Sequence, residues 1–117
     1  MSNSLSMQDN IYTDINAYLQ SVIYYKKSEQ HNSIVYTIEG NKFKKGVEYD
    51  IVMKHAKETL NKCLVESKAL YNKNRVITHL DLSGITMKQI DTGFFKKMII
   101  MLQQEYEDTL EKLIVTN

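Results

Sequence analysis

At 117 residues the chain has the length of one domain, enough to bury a single core and too short for a second independent one. Hydrophobic residues make up 43% and charged residues 25%, ordinary globular usage that excludes a disordered or fibrous chain. Fifteen basic against fourteen acidic residues leave a net charge of +1, which excludes nucleic-acid binding driven by charge.

From the amino terminus, Met1 to Asn10 is polar and rich in Ser and Asn, the composition of a flexible end, so one domain is expected over residues 11–117. Ile11, Ile15, Leu19 and Val22 then recur at helical spacing, predicting a short amphipathic helix from about Asp9 to about Leu19. Val22 to Tyr25 and Ser33 to Ile38 are β-branched and aromatic, and the polar Ser28 to Asn32 lies between them. That pattern predicts a β-hairpin. Gly40 to Gly46 gathers Lys42, Lys44 and Lys45 around Phe43. Such a loop suits a phosphate or an anionic surface and, more simply, a solvated turn with Phe43 tucked beneath it.

Val52, Ala56, Leu60, Cys63, Leu64, Ser67, Leu70 and Tyr71 fall on one stripe, predicting a long helix from about Val47 to Tyr71 that Asn72-Lys73-Asn74 stops. Arg75 to Leu82 carries apolar residues on both faces, as a central strand does, and Ser83-Gly84 closes it. Asp91 is a suitable N-cap for a helix with Phe94, Phe95, Met98, Ile99, Leu102 and Tyr106 inward. Leu110 to Thr116 is the last strand. Strand, helix and strand make a βαβ unit whose crossover should be right-handed, with parallel strands. The predicted fold is α/β: a small mixed sheet of about four strands, with an N-terminal hairpin, a C-terminal βαβ unit and helices packed on the sheet.

Chemistry is sparse. Cys63 is the sole cysteine, which rules out an intrachain disulfide and suits a reducing compartment, and its place on an apolar stripe predicts a buried, inert thiol. His31, His55 and His79 form no metal-ligand spacing, and no phosphate-cradling glycine loop occurs, so neither metal nor cofactor is expected. His79 and Asp81 share a strand face near Ser83, but Ser83 lacks a nucleophile elbow, and a carboxylate at a strand end caps the following turn. The expectation is therefore a non-enzymatic protein. With no apolar run of about 18 residues and no signal-peptide pattern, a cytoplasmic protein without a transmembrane segment is expected.

DLSGITMKQID followed by FFKKMIIMLQQEYEDTLEKLIVTN resembles the central motif of CRAL-TRIO lipid-binding domains, the fold of secretory phosphatidylinositol-transfer proteins. The shared features are Asp81, Leu82 and Gly84, then Leu102, Gln103 and Tyr106, then Leu110, Val115 and Asn117. Upstream, Tyr24 to Gly40 is similar to the opening hairpin of that family. Glu107 stands where the family has proline, and Asn32-Ser33-Ile34 stands where it has a Gly-Arg-Pro turn. The resemblance implies a phospholipid or other hydrophobic ligand with Tyr36 and Thr78 on the cavity floor, and it makes Asp81 and Gly84 a structural turn motif. The family pattern continues beyond the position of Asn117, which implies a shortened domain. Such a module either binds a hydrophobic ligand in a cavity that is incomplete or completed by a homodimer, or has lost lipid and serves as a protein-interaction domain, with a homodimer or a protein partner covering the C-terminal strand. DLSGITMKQIDTG is also similar to STAS domains, in which Thr92 would be a phosphorylation switch at a helix start.

Overall fold

Four strands form one mixed sheet in the order β1-β2-β3-β4 in a computed structural model that describes residues 15–43, 48–84 and 92–117, excepting the side chains of Thr92, Phe94 and Phe95. The expectations for a flexible 1–10 segment, a helix start near Asp9, Lys44 and Lys45, the onset of the long helix at Val47 and a cap at Asp91 lie outside the described residues.

Strands β1 (Ile23–Ser28) and β2 (Ser33–Glu39) form the predicted antiparallel hairpin, pairing Ile23 with Ile38 and Ser28 with Ser33. Its turn ends at Asn32, whose φ of 51° is left-handed, a conformation that asparagine tolerates because its short side chain can bond locally. Residues 15–22 are helical (α1), so this helix runs three residues past the expected end at Leu19. Leu19 and Val22 are both buried one turn apart, and this shared burial prolongs the helical period up to the first residue of β1.

Helix α2 (Tyr49–Tyr71) follows a short 3-10 turn, Gly40–Lys42, in which Lys42 pairs with Glu39 at 3.0 Å. Phe43 packs against the core, as the solvated-loop reading requires. Val52, Ala56, Leu60, Cys63 and Ser67 are buried along one side of α2. Leu70, placed on that stripe by its spacing, is instead 50% exposed, while the adjacent Tyr71 packs against the core. Asn72 stops the helix in the left-handed conformation (φ 54°, ψ 39°), its N–H returning to the Lys68 carbonyl and the Lys73 N–H to the Ser67 carbonyl.

Strand β3 (Val76–Asp81) pairs in parallel with β2, Tyr36 beside Thr78, so β2, α2 and β3 form a first crossover unit. Helix α3 (Thr92–Glu105) and strand β4 (Leu110–Thr116) form the second, with β4 parallel to β3 and Leu113 beside Thr78. β3 is therefore central, and its buried Val76 and Ile77 account for apolar residues on both faces. One irregularity interrupts β4: Val76 faces Leu110 while Ile77 faces Lys112, leaving Glu111 unopposed. Its carboxylate turns to the Ser33 hydroxyl (3.1 Å) and to Lys73 (3.2 Å).

The core lies between one sheet face and the helices. It joins Leu19 and Val22 of α1, Ile34, Tyr36 and Ile38 of β2, the α2 stripe and Met98 of α3. Each such aliphatic side chain contributes about 1.5–3 kcal/mol on burial. No helix among the described residues is long and apolar enough to cross a membrane.

Candidate ligand-binding cavity

Parallel pairing places alternate residues of β2, β3 and β4 on the face beneath α2 and α3, and there the helices leave a cavity of about 260 Å³. Its deep wall is Tyr36 and Ile38 of β2, Val76 of β3 and Leu60 of α2, all buried. Thr78 and Leu80 continue the floor, and Ile99 and Leu102 of α3 close it from above. The mouth lies where α3 gives way to β4, among Gln103, Glu107, Leu110 and Leu113, all of them exposed.

Tyr36 and Thr78, the two floor residues implied by the resemblance, are thus direct neighbours across β2 and β3 and line the same cavity. The Tyr36 hydroxyl is committed elsewhere. It donates to the Ala56 carbonyl of α2 at 2.9 Å, so the residue offers the cavity its ring. Burial, with smaller effects from Cys63 and Tyr106, lifts the Tyr36 phenol well above its ordinary ionisation range. At the mouth the Tyr106 hydroxyl donates to Asn61 Oδ1 of α2 at 3.1 Å, and the Thr109 hydroxyl donates to the Tyr106 carbonyl at 2.6 Å. Spacing alone could not identify these mouth residues, because the strand register and the path of α3 bring them together.

A second polar group occupies the opposite sheet face. Asp81 Oδ1 accepts the Ser83 N–H at 2.9 Å and so caps the turn. Hydrogen bonds from the Ser83 hydroxyl and amide, aided by Thr116 and His79, hold the Asp81 carboxyl below its ordinary value. Gly84 follows with φ of 72°. A Cβ there would meet no atom of the described residues within 4 Å, so among them it is the backbone conformation that favours glycine.

Thr116 is the member that the sequence did not reveal. Lying opposite Asp81 in register, its hydroxyl donates to Asp81 Oδ1 at 3.2 Å and accepts from His79 Nε2 at 2.9 Å. These bonds join His79 to Thr116 and Ser83 to Asp81, and they include no Ser-to-His contact of the kind a hydrolase triad uses. Thr92 opens α3, and its side chain lies outside those described. Cys63 is buried, its thiol pushed up to about 12 by burial and, secondarily, by Glu66. Among the described residues no group of three or more His, Cys, Asp or Glu side chains is placed to hold a metal ion. In comparison with known proteins, no protein-family model and no curated protein sequence matches the chain.

Proposed function

We propose that this protein is a non-enzymatic, CRAL-TRIO-like module that holds a hydrophobic ligand between its sheet and helices α2 and α3. The observation that carries this reading is the apolar cavity of about 260 Å³ with Tyr36 and Thr78 side by side on its floor. Pockets for drug-sized ligands measure about 300–1,000 Å³, so this one suits a single acyl chain or a comparable apolar group rather than a whole diacyl phospholipid. Each methylene withdrawn from water contributes about 0.8 kcal/mol before the costs of binding, so a short chain suffices for measurable affinity.

A titration with the neutral fluorophore N-phenyl-1-naphthylamine tests the reading. Saturable binding at one site per chain is expected, and Thr78→Phe, which fills the floor, should weaken it by about tenfold or more at unchanged circular dichroism. Absence of saturable binding, or full binding by Thr78→Phe, would overturn it.

A specific observation supports a homodimer as well: Leu110, Leu113 and Val115 of the terminal strand β4 are 44%, 54% and 50% exposed on the cavity side of the sheet edge. A second copy covering that edge would hide these side chains and shelter the cavity mouth. The STAS-like alternative stands on Thr92 and would be favoured by a partner interaction that Thr92→Glu alters.

A further inference from the structure

We propose that the ligand is a single-chain amphiphile with a cationic ammonium head, and that Glu107 receives that head. The proposal rests on the reading of the cavity as a ligand site and adds the chemistry of the ligand's polar end.

Apart from Thr78 on the floor and the committed Tyr36 hydroxyl, the polar lining of the cavity lies at one end. Tyr36, Ile38, Leu60 and Val76 make the deep part apolar, and an alkyl chain entering it leaves its head among Gln103, Tyr106, Glu107 and Thr109. Two of these already spend their hydroxyl protons inside the protein, Tyr106 on Asn61 and Thr109 on the Tyr106 carbonyl. Glu107 is the one charged side chain among the described lining residues, and no Lys, Arg or His joins it there. The neighbouring acids are neutralised, Glu105 by Lys57 at 3.1 Å and Glu111 by Lys73 at 3.2 Å, whereas Glu107 has no ion-pair partner among the described residues. Asp108 adds a further negative charge next in the chain. A carboxylate or phosphate head would meet this carboxylate with no lining cation to offset the repulsion. An ammonium head supplies the missing counter-charge and three donors to the Glu107 and Gln103 oxygens.

Decylamine, decanol and decanoate, each displacing N-phenyl-1-naphthylamine from the whole chain at neutral pH and low salt, separate the possibilities. The expected order is amine tighter than alcohol and alcohol tighter than carboxylate, with about two- to fivefold per step, the size of one exposed ion pair. Added salt should narrow the gaps. In Glu107→Gln the amine's advantage over the alcohol should be lost, and displacement of the fluorophore by the alcohol shows that the variant is folded. Decanoate binding as tightly as decylamine, or an amine preference that survives in Glu107→Gln, would refute the assignment of the head and leave the cavity reading standing. Failure of all three to displace the fluorophore would remove the cavity reading and this proposal with it.

Discussion

Tyr36 and Cys63 are two ionisable side chains buried in one apolar core, and water is what their charged forms lack there. Tyr36 is 1% exposed with its hydroxyl fixed to the Ala56 carbonyl, and burial lifts the Cys63 thiol from its ordinary 9.0 to about 12. Both groups are acids whose pKa is raised on folding, so the unfolded chain releases their protons first as pH rises. Their contribution to stability is complete below the ordinary thiol value and is lost as pH climbs through 9.0 towards about 12. The urea midpoint should therefore fall over that window, and Cys63→Val, which cannot ionise, should flatten part of the slope. Ellman's reagent at neutral pH should react with native Cys63 only as fast as the protein opens. Prompt reaction in the absence of denaturant would show that the thiol is not held in the core.

At the scale of elements, α3 covers the cavity with Ile99 and Leu102. Met98 anchors its buried side, and two exposed contacts tie its carboxyl end to α2: Tyr106 to Asn61 and Lys57 to Glu105, each at 3.1 Å. Each contact contributes about 1 kcal/mol or less, so the double variant Lys57→Ala, Asn61→Ala should lose little global stability. Hydrogen exchange should rise at residues 99–106 while β2 and β3 stay protected, and bound fluorophore should leave faster. Unchanged exchange in α3 would show that the two contacts do not hold it. The elements themselves were legible because their apolar spacings are long and regular: β4 runs from Leu110 to Thr116 as predicted, and α2 ends at Tyr71. The end of α1 was misplaced because Val22 serves both a helical and a strand pattern. The candidate site was legible only in part. Resemblance named Tyr36 and Thr78, but their adjacency, the irregularity at Glu111 and the bond from Thr116 to His79 depend on register, which neighbouring strands fix and no single strand encodes.

For the molecule as a whole, assembly turns on β4, the last strand in the sheet order, with β3 on its other side. The Thr116 carbonyl accepts the Leu82 N–H at 2.7 Å, so the main-chain groups of Thr116 face inward, and by alternation those of Leu113 and Val115 face out. The irregularity at Glu111 leaves Lys112 to Thr116 as the regular stretch, centred on Ile114. A second copy related by a two-fold axis at Ile114 would set Leu113 against Val115 as a hydrogen-bonded pair on the cavity side and Lys112 against Thr116 on the other. No like charges would then oppose each other. An axis at Lys112 would put two ammonium groups face to face, which disfavours that register. The prediction is a dimer by light scattering coupled to gel filtration and a monomer for Val115→Pro. Proline removes an outward N–H that β3 does not use, so the fold and its circular dichroism should persist while edge pairing is lost. A wild-type chain that stays monomeric at high concentration, or a Val115→Pro chain that still dimerises, would refute pairing through β4.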